Sequence, residues 1–281
     1  MSEKDLKGRV VIITGAGGGM GSTMTLGLAT RGAQVTVVDV DPVSVDAVAR
    51  TATEISGESA VLPMVADVTH LDECHKIVEQ TRAHFGGMHV LVNNAGIGMQ
   101  TISANYMNDP VRFWEADLGR WQRIMDVNFK GPFMLASIVA PHLIAQGWGR
   151  IINVTTSLDT MHRRSYTPYG PSKAALEAAS SCWAKDLKGT GVTVNVLVPG
   201  GPTNTGFIPA DAPFDRAALV QPEVMVAPIC WLVSDDSDGV TDCRFVGRYW
   251  DSSLLPSEAA EGSKAPVAWP GLGLPAAWPG A

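Results

Sequence analysis

The sequence predicts an α/β fold in which a parallel sheet presents its strand ends to a ligand. Three observations predict it. Short apolar runs rich in β-branched residues, at 10–13, 34–38, 61–65, 89–92, 151–154 and 192–198, alternate with stretches of helical character, as in a sheet covered by helices. The first run meets a glycine-rich loop and then a helix, the arrangement that cradles a dinucleotide pyrophosphate. The run at 151–154 ends in Thr155, Thr156 and Ser157, and open α/β sheets bind ligands at that end of a strand.

Composition bounds the function. A length of 281 residues and an apolar fraction of 46% allow a sizeable core. The net charge of −7 makes nucleic acid and anionic membrane poor partners. Cys74, Cys182, Cys230 and Cys243 form no CxxC pair, and the histidines form no HxxxH pattern. The expectation is a reduced, cytoplasmic chain with no metal site. No apolar stretch is long enough to span a bilayer.

In chain order, residues 10–13 lead into Thr14-Gly15-Ala16-Gly17-Gly18-Gly19-Met20-Gly21. The glycines let a backbone approach phosphate, and the following helix offers free N–H groups. The loop fits two spacings, TGxxxGxG through Gly15, Gly19 and Gly21, and TGxxGxxG through Gly15, Gly18 and Gly21. The second strand ends at Asp39, followed by Val40. A carboxylate there accepts from ribose hydroxyls and repels a 2′-phosphate. No Arg or Lys lies between Asp39 and Ala49, so NAD(H) is expected over NADP(H). Asp41 before Pro42 reads as a helix cap. The third strand, 61–65, precedes Asp67 and Val68, with Thr69 as the expected N-cap of the next helix.

Residues 89–92 end in Asn93-Asn94-Ala95-Gly96. The asparagine amides can tie neighbouring strands, and Ala95 and Gly96 leave room beside a cofactor. The connection 97–120 is long and carries Tyr106, Phe113 and Trp114, either a pocket wall or a surface flap. Residues 121–145 read as one helix with a wrinkle at Gly131-Pro132. Pro132 has no N–H for the carbonyl of Asn128, a physical reason for water to sit there.

Tyr169 and Lys173 are four apart, so a helix puts them on one face. Pro171 belongs to a first turn, which places Tyr169 at the helix start. An ammonium beside the phenol predicts a Tyr169 pKa below about 10. Beyond lie a strand at 192–198, the turn Pro199-Gly200-Gly201-Pro202-Thr203-Asn204-Thr205, a substrate lid at about 203–222, a helix at 224–232 and a last strand at 244–250. The tail 251–281 is rich in Pro and Ala and looks unstructured, except that Trp269 and Trp278 call for cover.

Together these motifs resemble the short-chain dehydrogenase/reductase family in its classical branch, over residues 6–250. The resemblance implies one Rossmann-like catalytic domain, 1–250, with a doubly wound, seven-stranded parallel sheet and helices on both faces. It implies a homo-oligomer, a tetramer or dimer. Tyr169 would be the general acid/base, with Lys173 tuning it and holding the nicotinamide ribose, and Asn128 supporting a water relay. Asp67 and Val68 would hold adenine, Pro199 and Gly200 would lie near the nicotinamide, and Thr205 would meet its carboxamide if one residue is inserted. The family's catalytic serine stands thirteen residues before the tyrosine. Thr156 occupies that place here and Ser157 the next, so both remain candidates, with Thr156 preferred.

The function expected is NAD-dependent interconversion of a secondary alcohol and its ketone. Met161, Tyr166, Phe207, Ile208 and Trp114 are the candidate pocket residues and favour a cyclic or aromatic substrate. Arg163 and Arg164 either attract a carboxylate or are solvated. The alternatives are a nucleotide-binding sensor with reduced catalysis, and a non-redox relative such as an epimerase or dehydratase.

Overall fold

Strands buried on both faces must be apolar throughout, and this sets the centre of the molecule. A computed structural model describes residues 5–209, 212 and 214–271. β1 (Val10–Thr14), β4 (Val90–Asn93), β5 (Gly149–Val154) and β6 (Val192–Val198) are buried along their whole length. β2 (Gln34–Asp39) and β3 (Val61–Val65) extend the sheet one way, and β7 (Cys243–Val246) and β8 (Lys264–Pro266) the other. The order is β3-β2-β1-β4-β5-β6-β7-β8. The neighbours pair in parallel except β7 and β8, which run antiparallel.

Helices cover both faces. α1 (Gly19–Thr30) and α2 (Pro42–Ser56) contribute Met24, Leu28 and Ala52 to one core. α3 (Leu71–Phe85), α4 (Leu118–Met125) and α5 (Gly131–Gln146) follow, and Ile77 and Leu135 lie in the opposite core. After β5 come the short α6 (Leu158–Met161) and α7 (Tyr169–Asp186). α8 (Val226–Val233) and α9 (Pro256–Ser263) flank β7 in sequence. No described helix is long and apolar enough to cross a membrane. Strand order reverses between β1 and β4, which opens a crevice at the carboxyl ends of the strands.

The structure departs from the sequence reading in several places. Among the described residues the sheet has eight strands, not the seven expected. The last parallel strand stops at Val246, because Gly247 packs against the Val224 carbonyl and the chain turns there. Residues 256–266, expected to be unstructured, form α9 and edge strand β8, where Pro266 is tolerated. Trp269 is half-buried; Trp278 lies outside the described residues. The helix at 226–233 begins two residues late, after a 3₁₀ turn at Pro222–Met225. α3 starts after His70 rather than Thr69, because Thr69 gives its N–H and hydroxyl to the Asp67 carboxylate (2.9 and 2.7 Å). The single helix expected over 121–145 is α4 and α5 joined by a π-turn at Asp126–Lys130, the place where Pro132 withholds a hydrogen bond. Asp41 caps α2 as expected.

Candidate active site

The crevice is a cleft of about 840 Å³ running from the glycine loop past Tyr169 to Phe214. The glycine loop decides between its two spacings. Gly19 has φ +53° and Thr205 packs on it, whereas nothing lies within 4 Å of a Cβ built on Gly18. Gly21 has no room for a side chain beside the Gly15 carbonyl. The geometry is that of TGxxxGxG, with Gly18 as the N-cap of α1 and no side chain capping the helix. The free N–H groups at this end suit a pyrophosphate.

At the end of β2, Asp39 accepts from the Gly17 N–H at 2.9 Å and from the Val40 N–H at 2.7 Å. Its carboxylate therefore stands against the loop and lines the cleft. Val40 and Asp67 line an adjoining recess. Arg123 holds Asp67 at 2.8 Å, and with the Thr69 contacts this keeps its carboxyl below the usual range, against burial. Val68 is buried against Gly131. The Asn94 amide donates to the Thr14 and Gly15 carbonyls, tying β4 to β1. Asn94, Gly96, Pro199, Thr203 and Thr205 line the cleft; Gly17, Ala95 and Gly200 do not. These groups fit an adenine dinucleotide: an uncapped helix end, a carboxylate at the ribose position and open space over Gly18.

Tyr169 opens α7 at the floor of the cleft, with Lys173 one turn on. Lys173 does not reach for the phenol. Its Nζ donates to the Val154 carbonyl at 2.9 Å and lies near Gly96. Burial pushes Tyr169 up to about 12, opposed by the neighbouring Thr156 side chain. Burial pulls Lys173 down to about 8. The expected depression of Tyr169 is thus reversed in the protein alone, because desolvation of the phenolate dominates while Lys173 is held by the Val154 carbonyl.

The two candidate hydroxyls are separated by geometry. Thr156 lines the cleft together with Tyr169, and Ser157 does not. Ser157 begins α6, and its Oγ pairs with Thr160 at 2.7 Å. Asn128, fully buried, donates to the Ile97 carbonyl and to Ser172 Oγ, and accepts from the Ile97 N–H. Both its amide hydrogens are engaged, so a water path would use its main-chain carbonyl.

Tyr166, Phe207 and Ile208 line the substrate end. Met161 does not; it is buried, with its carbonyl against Gly170. Trp114 is exposed and stacked edge-on with Phe113, away from the cleft. The sequence reading missed Gln100, and did not single out Tyr106 from its loop. Tyr106 donates to the Phe207 carbonyl at 3.3 Å and sits edge-on to Tyr166. Arg163 lies over the Tyr166 ring at 4.9 Å, and it and Arg164 edge the cleft. In the segment 203–222, Arg216 donates to Asn204 and to the Ile208 carbonyl; residues 210, 211 and 213 lie outside the described residues.

The comparisons agree with this architecture. Residues 9–210 match the family model for short chain dehydrogenases. The chain is 33% identical over 244 residues to a 3-oxoacyl-[acyl-carrier-protein] reductase, FabG, of Thermotoga maritima, covering 84% of this chain and 94% of the relative. It is 31% identical to the cis-4-hydroxycyclohexanecarboxylate dehydrogenase of Sinomonas cyclohexanicum, covering 81% and 90%. The 3-ketoacyl-(acyl-carrier-protein) reductase of Brucella melitensis, solved with NADH, superposes with a TM-score of 0.72 at 26% identity, covering 84% and 95%. The chain belongs to the short-chain dehydrogenase family and is an oxidoreductase of that family.

Proposed function

We propose that this protein interconverts a secondary alcohol and its ketone with NAD(H), Tyr169 exchanging the proton. The observation that carries the reading is Tyr169 and Thr156 lining one cleft, with Lys173 one helical turn from Tyr169. A bound nicotinamide supplies the hydride acceptor, and its positive charge favours the phenolate. Thr156 orients the substrate oxygen and Tyr169 takes its proton. Lys173, held by the Val154 carbonyl, points towards Gly96, where a nicotinamide ribose fits. Asp39 supports NAD over NADP, since a 2′-phosphate would meet its carboxylate.

The aromatic wall of Tyr106, Tyr166 and Phe207 suits a cyclic or aromatic substrate. Arg163 and Arg164 at the rim suit one that also carries a carboxylate, as does the substrate for which the Sinomonas relative is named. The reading includes a lid at 203–222 over a single catalytic domain, a homo-oligomer and a cytoplasmic location. Reduced-cofactor absorbance with NAD or NADP tests it, using 4-hydroxycyclohexanecarboxylate, cyclohexanol, aryl alcohols and hydroxy acids. Turnover with NAD on ring alcohols, faster for the carboxylate, is expected. Preference for NADP removes the role given to Asp39.

A further inference from the structure

Beneath the catalytic strand end lies an ion pair that the reaction above does not use. Glu177 is one helical turn beyond Lys173 on α7, so Tyr169, Lys173 and Glu177 follow one face of the helix. Glu177 is wholly buried, and its Oε1 lies 3.3 Å from Nη1 of Arg244, on β7, whose side chain is 7% exposed. The pair grips two consecutive residues at the end of β5. Thr155 Oγ1 donates to Glu177 Oε2 at 2.8 Å. Arg244 Nη2 donates to the Thr156 carbonyl at 2.8 Å. Edge strand β8 runs beside the pair, with Ala265 opposite Arg244 in the ladder. Val267 beside it is buried on Val196 and Val198.

Removing two charges from water largely cancels their attraction, so such a pair adds little net stability. What it does supply is direction. A peptide plane fixed at its carbonyl fixes the side chain that the same residue projects. Thr155 and Thr156 follow the last residue of β5; the Thr155 N–H still bonds the Leu197 carbonyl at 3.2 Å. Where that ladder ends, the Arg244–Glu177 pair holds the Thr155 hydroxyl and the Thr156 carbonyl.

We propose that Glu177 and Arg244 are positioning residues for the catalytic hydroxyl: they clamp Thr155 and the Thr156 carbonyl so that the Thr156 side chain faces the cleft that Tyr169 lines. The inference rests on the reading of Thr156 and Tyr169 given above. It gives edge strand β8 a part in positioning, since Ala265 pairs with Arg244.

The test replaces the pair by apolar residues of similar size, Glu177→Leu with Arg244→Met. A buried pair exchanged in this way leaves stability unchanged or raised, so the double variant is expected to fold with a melting temperature no lower than the parent. In a crystal structure of the variant, the Thr156 side chain should have moved from its place in the cleft; an unchanged Thr156 conformation overturns the proposal, whatever the substrate. In turnover, kcat should fall at least tenfold with KM for NAD within twofold. In a Thr156→Ala background the same exchange should cost no further activity, because the clamp acts through that side chain. An equal loss in both backgrounds overturns the proposal and indicates a general structural role. A parent enzyme inactive on every alcohol would count against the proposed function, and the crystallographic result would still decide the clamp.

Discussion

Lys173 Nζ donates to the Val154 carbonyl at 2.9 Å, although the phenol of Tyr169 is only one turn away on the same helix. The lysine is thereby fixed at a strand end with 4% of its surface exposed. The two buried groups shift in opposite directions, Tyr169 up to about 12 and Lys173 down to about 8.

The first prediction concerns stability. A lysine with a folded pKa of about 8 holds fewer protons than in the unfolded chain between pH 8 and its usual 10.5. Unfolding therefore takes up protons in that window, and stability rises with pH across it. Below pH 8 the buried charge costs up to about 3 kcal/mol. Lys173→Met should be inactive yet melt higher than the parent at pH 7, with the difference shrinking towards pH 10. Equal or lower melting at pH 7 would contradict the direction of the shift.

Thr156 and Ser157 should differ sharply. Thr156→Val removes the hydroxyl that shares the cleft with Tyr169 and should lower kcat by about 10²–10³. Thr156→Ser keeps it and should stay within about tenfold. Ser157→Ala loses only the bond to Thr160 and should stay within a few-fold. Steady-state kinetics of the three variants checks the order.

The glycine loop gives a test without substrate. Gly19→Ala forces a side chain into φ +53° against Thr205 and should destabilise the protein by about 1–3 kcal/mol. Gly18→Ala has open space, and its extended φ of −167° suits any residue. Thermal unfolding without nucleotide should leave Gly18→Ala near the parent and lower the melting temperature of Gly19→Ala.

Asp39→Ser removes the carboxylate at the ribose position. The ratio of kcat/KM for NAD over NADP should fall by at least tenfold. An unchanged ratio would move nucleotide selection elsewhere.

Much of this was readable from the chain because it depends on local signals. The run 10–13 with its glycine loop defines a strand, turn and helix, and Tyr169, Pro171 and Lys173 fix the start of α7. The choice between Gly18 and Gly19 was not readable, since it depends on where Thr205, far along the chain, comes to rest. Neither was the fate of Lys173: its partner is a main-chain carbonyl, invisible to side-chain spacing. Met161 and Trp114 have the composition of pocket residues, but one faces Gly170 and the other solvent. Tyr106 and Gln100 enter the cleft from a loop with no periodicity to announce them. The Pro and Ala content of 251–281 concealed α9 and β8, because an edge strand needs neither length nor β-branched residues when β7 supplies its pairing.

The central claim is that Tyr169 moves the proton, and one measurement addresses it most directly. Parent and Tyr169→Phe are compared for NADH affinity by fluorescence titration and for single-turnover oxidation of the best ring alcohol. The account predicts NADH binding within about threefold and a rate lowered by at least 10³. A phenylalanine variant that binds NADH and turns over within tenfold of the parent would contradict it.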